Sequence, residues 1–173
     1  MYKRHFVLII SLTAIWISGC GGYDYRKDYQ LTTIEEAEGY TAIELNRMGE
    51  LQLVNGSFTD DCLIVRKIAY ESITVYYRLI YQRPSSVPDL NPKRILFVID
   101  GQRYIFSFLG SDRSDIYKRA WVTLEASFLE KIANAHEVKF SVEGSDISID
   151  YKFNKRYLYS FRRFYRECVL PAK

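Results

Sequence analysis

Histidine is scarce in this sequence, with only His5 and His136 among 173 residues. Because His5 lies at the very start of the chain, His136 is the one histidine in the body of the sequence, and a site that needs two histidines is excluded there. A serine–histidine–acid triad would depend on His136 alone. His136 follows the end of a predicted helix, where the helix dipole favours a cation, so we interpret it as a helix-terminal residue rather than a catalytic one.

Sequence motifs that mark common catalytic and metal sites are also lacking. The chain has no Gly-x-Ser-x-Gly nucleophile turn, no phosphate loop and no His-Glu-x-x-His zinc motif. Asp60 and Asp61 are adjacent, so their side chains are expected to diverge in a solvated loop. Asp112 and Asp115 lack the glycine and the terminal glutamate of a calcium loop. We therefore expect no catalytic residues, no metal and no enzymatic activity, with a carboxylate-dependent hydrolase as the least favoured alternative.

The first twenty residues have the order of a secretory signal that ends in a cysteine. Lys3 and Arg4 precede an apolar run over residues 6–17, interrupted only by a serine and a threonine. A run of about 7–15 residues is typical of a signal peptide, whereas a membrane-spanning helix needs roughly 20. The run ends in Ile17-Ser18-Gly19-Cys20, an aliphatic residue and two small residues before a cysteine. This segment resembles the lipobox of bacterial lipoproteins.

The resemblance implies that residues 1–19 are removed and that Cys20 becomes the lipidated first residue. Its sulfur would carry a diacylglyceryl group and its amino group an acyl chain such as palmitate, and no other cofactor is expected. A second chain turns reversible membrane binding into stable anchoring, since each buried CH₂ contributes about 0.8 kcal/mol. The protein would face the periplasm or the cell exterior, and Gly21 in place of an aspartate favours the outer over the inner membrane. An ordinary signal peptide or a signal anchor is the alternative.

The remaining chain, residues 20–173, is long enough for one domain and too short for two. Residues 20–33 show little periodicity and are predicted to form a flexible tether, which leaves residues 34–173 as a single domain. Without Lys3 and Arg4 the chain has 22 basic and 21 acidic residues, a formal charge of +1. This balance excludes a basic surface over the whole protein, so we expect no nucleic-acid partner.

Positive charge is concentrated at the C-terminal end, where residues 154–173 contain six basic residues and one acid. Four arginines of the predicted last helix, opposite its apolar stripe, form a candidate binding surface: Arg156, Arg162, Arg163 and Arg166. Arginine suits bidentate contacts with phosphate or carboxylate, so an acidic protein partner, anionic lipid headgroups or lipopolysaccharide phosphates would fit this surface. The ordinary solvated face of a docked helix is the alternative.

Two cysteines remain besides Cys20, namely Cys62 and Cys168. An extracytoplasmic compartment permits disulfides, and both residues are predicted near the ends of secondary-structure elements. A Cys62–Cys168 bond would close a loop of over 100 residues, which stabilises a fold by about 4.7 kcal/mol in a chain-entropy model. We predict this disulfide, with two free buried thiols as the alternative.

Alternating apolar residues and turn signals predict a sheet-rich domain with two late helices. Asp100-Gly101, between two apolar runs, predicts a type I′ hairpin, because both central residues need positive φ. Ser127 with Glu130 has the spacing of a capping box ahead of a short helix, and Asn154 is suited to cap a final helix. The predicted class is therefore α+β: an antiparallel sheet of roughly six to eight strands with two helices of the C-terminal half packed on one face.

These patterns favour a membrane-anchored, extracytoplasmic lipoprotein that acts as a non-catalytic binding or envelope-assembly module with a protein partner. The first alternative is a periplasmic inhibitor or immunity-type protein that blocks a wall-degrading enzyme or a toxin. Residues 111–115 would then be the loop that inserts into the target's cleft.

Overall fold

The computed structural model describes residues 30–37, 39–46, 51–71 and 73–170 of the chain. Twelve strands and two α-helices lie in these residues. In chain order the strands are β1 (Gln30–Ala37), β2 (Tyr40–Asn46), β3 (Leu51–Leu53), β4 (Phe58–Thr59), β5 (Cys62–Tyr70), β6 (Ile73–Pro84), β7 (Arg94–Ile99), β8 (Gln102–Ser107), β9 (Gly110–Arg113), β10 (Tyr117–Leu124), β11 (Val138–Glu143) and β12 (Ser148–Lys152). The helices are α1 (Ala126–Asn134) and α2 (Lys155–Phe164), and α2 continues into a π-helical turn, Tyr165–Val169.

The described strands form two antiparallel sheets of six strands each. The first sheet has the order β1-β2-β5-β6-β10-β9, and the second has the order β4-β3-β12-β11-β7-β8. β8 and β9 follow each other in the chain, and each is the last strand of a different sheet. The chain therefore passes from the edge of one sheet to the edge of the other between Ser107 and Gly110.

One hydrophobic core joins the two sheets and the helices. From α1, the ring of Phe128 lies 5.4 Å from that of Phe97 on β7. From α2, the ring of Phe161 lies 5.2 Å from that of Phe153, which follows β12. The first sheet contributes aliphatic residues of its central strands, among them Leu63, Val65, Leu79 and Val122. Both helices thus bury their apolar side against residues of the same core, which is what their spacing of apolar residues predicts.

The predicted α+β class, with antiparallel strands and two helices in the C-terminal half, is confirmed. The strands number twelve rather than six to eight, and they divide between two sheets. Alternation in a sequence indicates that a strand has one buried face, but it does not indicate which neighbour the strand pairs with. Strands as short as β3 and β4 leave no periodic pattern at all.

Two local predictions are confirmed in their geometry. Asp100 and Gly101 have φ values of 46° and 85°, so both central residues of the hairpin between β7 and β8 adopt the positive φ of a type I′ turn. Asn154 is the N-cap of α2, and its Oδ1 accepts a hydrogen bond of 3.0 Å from the Tyr157 backbone N–H. Both signals are short in sequence and depend on no distant contact.

Two other local predictions are wrong. The N-cap of α1 is Glu125 rather than Ser127, and the Ser127 hydroxyl donates to the Glu125 carboxylate over 3.2 Å. Residues 30–33, predicted as part of the tether, form the first half of β1, because their backbone pairs with β2 in the register Gln30 to Asn46. Residues 20–29 of the predicted tether and the lipobox with Cys20 lie outside the described residues.

The predicted disulfide is also wrong, since Cys62 and Cys168 are both free. Cys62 begins β5, where its neighbour Leu63 is buried in the core and its own side chain therefore points to the other face of the sheet. Cys168 does lie in the core, as its place on the apolar stripe predicts. The two thiols are thus on opposite sides of the first sheet. Burial raises the pKa of Cys62 to about 12 and that of Cys168 to about 11.

Candidate functional site: a cationic cavity at one end of the first sheet

Three neighbouring strands of the first sheet place three cations directly opposite one another. Lys118 on β10 pairs with Arg83 on β6 and with Arg113 on β9. Residues that are directly opposite in antiparallel strands lie on the same face, with strands about 4.8 Å apart. We call Arg83, Lys118 and Arg113 the cationic row.

The cationic row continues the face of the sheet that carries the hydrophobic core. Along β6, buried Leu79 is followed by Tyr81 and then by Arg83, each two residues further on. Along β10, Lys118 precedes buried Ala120 by the same interval. Because alternate residues share a face, the inner surface changes from aliphatic to aromatic to cationic towards one end of the sheet.

A cavity of about 190 Å³ opens over this end of the inner face. Its lining comes from β6, β9, β10 and the loop between β6 and β7: Tyr81, Arg83, Asp89, Asn91, Pro92, Ser111, Asp112, Arg113, Lys118, Arg119 and Ala120. Four of these side chains are cationic and two are acidic, which gives the lining a formal charge of +2. The cavity is therefore electropositive.

The loop over residues 85–93 is held against the second sheet on one side of the cavity. The Asn91 side chain donates to the Ser145 hydroxyl over 3.1 Å, and its backbone N–H donates to Asp89 Oδ1 over the same distance. Leu90 packs against Gly144 so closely that a Cβ at this glycine would lie 1.8 Å from the Leu90 carbonyl oxygen. Only glycine permits this approach, which brings the loop close enough to enclose the cavity.

Two of the cavity's cations are tied to nearby groups. Lys118 Nζ donates to the Val87 carbonyl over 3.0 Å and lies 3.9 Å from Asp89 Oδ2. Arg119 Nε donates to Gln82 Oε1 over 2.6 Å, and its guanidinium lies 6.0 Å from the centre of the Tyr117 ring. These contacts fix the two side chains without neutralising the whole lining.

Below the cavity lies a buried network of one carboxylate, two tyrosines and an arginine. Asp61, with 3 % of its surface exposed, accepts hydrogen bonds from the hydroxyls of Tyr81, over 3.0 Å, and Tyr151. The two hydroxyls are also within 2.8 Å of each other. Arg83 Nε lies 3.4 Å from Asp61 Oδ1. Asp61 therefore has two hydroxyl donors and a neighbouring cation, which compensate for the burial of its charge.

The network keeps its tyrosines as hydrogen-bond donors. Burial raises the pKa of both Tyr81 and Tyr151 above the usual range, so both hydroxyls are protonated at neutral pH. Each hydroxyl has one proton, and both protons are directed to Asp61, which leaves neither hydroxyl in position to act on a ligand. The network can position Arg83, but its arrangement does not suit acid–base chemistry.

Asp61 was predicted to lie in a solvated loop, and this prediction is wrong. Asp60 is exposed as expected, whereas Asp61 turns inward immediately before β5. Its partners Tyr81 and Tyr151 lie 20 and 90 residues away in the chain, so no local pattern could identify them. The cationic row could not be predicted from the sequence for the same reason, since only the pairing of β6, β10 and β9 brings its members together.

The four arginines predicted as a binding surface on α2 are divided in the structure. Arg162 donates to the backbone carbonyls of Ala133 and Ala135 over 2.9 and 2.7 Å, so it caps the C-terminal end of α1. Arg163 forms an ion pair with Glu167 over 2.7 Å, one helical turn further on.

The other two members of that surface differ in exposure. Arg166 is exposed, and its Nε lies 3.4 Å from the Arg162 carbonyl oxygen. Arg156 is half-buried. Arg162 and Arg166 also line a second cavity of about 450 Å³ with Ala133, Asn134, Tyr159, Tyr165 and Leu170. Because Arg162 already donates to carbonyls at the end of α1, this surface offers fewer free donors than the sequence indicates.

The segment predicted as an inserting loop, residues 111–115, is partly a strand. Ser111 to Arg113 belong to β9, and the turn that follows is held by Ser114, whose hydroxyl accepts from the Tyr117 backbone N–H over 3.0 Å. Ser85 donates to the Ser114 carbonyl over 2.8 Å. Ile116 projects from this turn with 66 % of its surface exposed.

His136 is not part of the cavity. Its side chain is almost fully exposed, and its backbone N–H donates to Asp100 over 3.0 Å. Within the described ranges, no three His, Cys, Asp or Glu side chains lie close enough together to hold a metal ion. The same residues include no helix with the length and apolar character needed to cross a bilayer. Comparisons with protein-family models, curated proteins and solved structures found no match to this chain.

Proposed function

We propose that this protein is a lipid-anchored binding protein of the bacterial cell envelope, that it is not an enzyme, and that its ligand site is the cationic cavity. The lipobox-like segment supports the anchor at Cys20, and Gly21 favours the outer membrane. Facing the periplasm or the cell exterior, the domain would meet ligands of that compartment. The same proposal includes a protein partner in the envelope.

The cationic row is the observation that carries the binding proposal. Like charges directly opposite one another on neighbouring strands destabilise a sheet. Arg83, Lys118 and Arg113 nevertheless stand in one row beside an open cavity. Proteins tolerate such locally unfavourable arrangements mainly where function requires them. Asp61 lies beside Arg83 and Asp89 lies near Lys118, so a ligand that compensates the remaining positive charge is the reason we propose for the row.

The anchor is tested by replacing Cys20. In the native host, the wild-type protein is expected in the membrane fraction, with both lipids detected by mass spectrometry of its N-terminal peptide. Cys20→Ala should remove the lipid and leave the protein out of that fraction or unprocessed. Cys62→Ala is the matched control and should leave lipidation unchanged. Equal lipid incorporation in the Cys20→Ala protein would disprove the anchor.

The binding site is tested by filling the cavity. Ser111 lines it from the exposed edge strand β9, so Ser111→Trp should occupy the space without disturbing the core. Ser107→Trp places the same side chain at an exposed position of β8 outside the lining. Native mass spectrometry of the full-length lipoprotein, after incubation with small molecules from envelope extract, should show an adduct that only Ser111→Trp loses. An adduct retained by both variants would contradict the site.

A second candidate is an inhibitor or immunity-type protein that acts through the β9–β10 turn. The turn is pinned by hydrogen bonds from Ser85 and Ser114 while it exposes Ile116, and a rigid projecting apolar side chain suits insertion into a cleft. In turbidity assays with cell-wall hydrolases, this candidate requires inhibition by the wild type that Ile116→Asp abolishes. No inhibition, or inhibition that Ile116→Asp preserves, would exclude it.

A further inference from the structure

We infer that the cationic cavity binds the phosphoryl group of a small ligand. This inference rests on the proposed function, because it names the ligand class for the same cavity. Three features of the cavity favour this ligand class: the number of its cations, the way in which one of them is held, and the size of the space.

The number and spacing of the cations favour a phosphoryl group over a carboxylate. With strands about 4.8 Å apart, Lys118 lies between two arginines that approach from its two sides. A phosphoryl group offers three acceptor oxygens and a charge of about −1.5 to −2 at neutral pH. It can therefore accept from Lys118 and from both arginines together, whereas the two oxygens of a carboxylate are satisfied by one bidentate arginine.

Arg83 is held in place before a ligand arrives. It is the most buried member of the cationic row, with 9 % of its surface exposed, and Asp61 lies beside it. Asp61 is in turn fixed by the hydroxyls of Tyr81 and Tyr151. Among the described residues, no hydrogen-bond partner is found for the buried Nε of Arg83. The ion pair with Asp61 and the burial of the side chain restrict the guanidinium, so it loses less conformational entropy on binding an anion than an exposed arginine does.

The acids of the lining leave room for an anion. Asp89 lies 3.9 Å from Lys118 Nζ, which is too long for a hydrogen bond. Asp112 and its directly opposite partner Arg119 both point to the other face of the sheet, because adjacent strand residues alternate, so neither contributes to the charge of the inner face. With Asp61 beside Arg83 and Asp89 near Lys118, the inner face over the cationic row keeps one positive charge in excess, which an anion would compensate.

The volume of the cavity limits how much of the ligand lies inside it. About 190 Å³ accommodates a phosphate with a small substituent, and the loop over residues 85–93 bounds the space on one side. The ligand is therefore either a small free phosphate compound or the terminal phosphomonoester of a larger molecule whose remainder lies outside. Both sources share the same recognition chemistry, and they are separated by experiment.

The test is isothermal titration of the full-length lipoprotein in detergent with inorganic phosphate, at constant ionic strength. Acetate is titrated in parallel as the carboxylate probe. We expect phosphate to bind at least about tenfold more tightly than acetate, because it makes more charge-assisted hydrogen bonds. Equal affinities would mean general electrostatic attraction and would overturn the phosphoryl assignment, as would the absence of phosphate binding.

Arg113 provides the variant that leaves the fold intact, because its side chain is exposed at the sheet edge. Arg113→Met should weaken phosphate binding at least about tenfold. Arg103→Met, at an exposed position of β8 outside the lining, is the matched control and should change it less than about twofold. Unchanged affinity in Arg113→Met, with a melting temperature equal to wild type, would refute the role of the cationic row.

Competition of vesicles with inorganic phosphate separates the two sources of phosphate. Vesicles that contain phosphatidic acid present a phosphomonoester, whereas phosphatidylglycerol vesicles present only a phosphodiester in the same headgroup layer. Inhibition of phosphate binding by phosphatidic acid alone assigns the ligand to a lipid headgroup, and no inhibition by either assigns it to a free phosphate compound. Loss of the envelope adduct in Ser111→Trp without any phosphate binding would leave the binding site standing and reject only its ligand class.

Discussion

The buried network below the cavity allows a quantitative prediction for Tyr151→Phe. Tyr151 has no exposed surface, and its hydroxyl donates to Asp61 while it contacts the hydroxyl of Tyr81. The substitution removes one oxygen and keeps the ring, whose centre lies 4.8 Å from that of Phe140 in a stacked arrangement. The change therefore isolates the polar contribution of the network from its packing.

The expected loss of stability follows from the charge of Asp61. A hydrogen bond to a charged group contributes about 1.5–3 kcal/mol, and a buried carboxylate that loses a donor also keeps its desolvation cost. We expect Tyr151→Phe to lower the free energy of unfolding by about 2 kcal/mol. For a domain of this size, this corresponds to a fall in melting temperature of about 4–8 °C.

The assay is urea unfolding followed by circular dichroism, with Tyr104→Phe as control. The Tyr104 hydroxyl donates to Gln102 at the surface, so its removal should change the free energy of unfolding by less than about 0.5 kcal/mol. In a double-mutant cycle with Asp61→Asn, the two substitutions should be coupled by more than about 0.5 kcal/mol. A loss equal to that of Tyr104→Phe, or additive effects with Asp61→Asn, would refute the network.

Alkaline pH provides a second measurement of the same network. Burial raises the pKa of Tyr81 and Tyr151 in the folded state above the value of about 10 in the unfolded chain. The unfolded state therefore loses protons first, and the stability that these groups contribute below pH 10 is lost as the pH rises above it. Tyr151→Phe should lose less stability than the wild type over this range, and an identical alkaline profile would contradict the argument.

Three further predictions concern other parts of the fold. Arg162→Met should lower stability by about 1–2 kcal/mol in thermal unfolding, because it leaves two carbonyls at the end of α1 without a donor; an unchanged melting temperature would show that water replaces it. Cys62 and Cys168 should resist a thiol reagent in the native protein, since burial raises the pKa of both thiols, and both should react after denaturation without reductant; failure to react there would indicate a disulfide. The backbone N–H groups of the α1–β11 connection lower the pKa of Asp100 in the folded state. The stability that Asp100 contributes above about pH 4 should therefore be lost as the pH falls through this lowered pKa. Asp100→Asn should flatten this acid dependence of the melting temperature.

Local chemistry accounts for the parts of the fold that could be predicted. Asp100-Gly101 and Asn154 act within four residues of themselves, through positive φ and through an N-cap hydrogen bond. The apolar stripe that places Cys168 in the core is likewise a property of one helix. Ser127 shows the limit of such reasoning. The Glu125 carboxylate accepts a hydrogen bond from the Ser127 hydroxyl, and Glu125 is itself the N-cap, two residues before the predicted one.

Strand pairing accounts for what could not be predicted. The register that sets Lys118 opposite Arg83 and Arg113 joins residues up to 35 positions apart, and each of these residues alone is typical of an exposed strand position. Arg162 on α2 appeared to be a free surface charge because nothing near it in the sequence reveals the open carbonyls at the end of α1. Both errors arise from contacts between elements, which depend on the tertiary fold rather than on periodicity.

The order of strands in the first sheet has a consequence for how the anchored protein would be oriented. β1, the strand nearest to Cys20 in the chain, forms one edge, and β9, which lines the cavity, forms the opposite edge. Five inter-strand steps of about 4.8 Å separate the edges by roughly 24 Å. In the proposed lipoprotein, the cavity would therefore lie at the edge of the first sheet that is opposite the strand nearest the anchor in the chain.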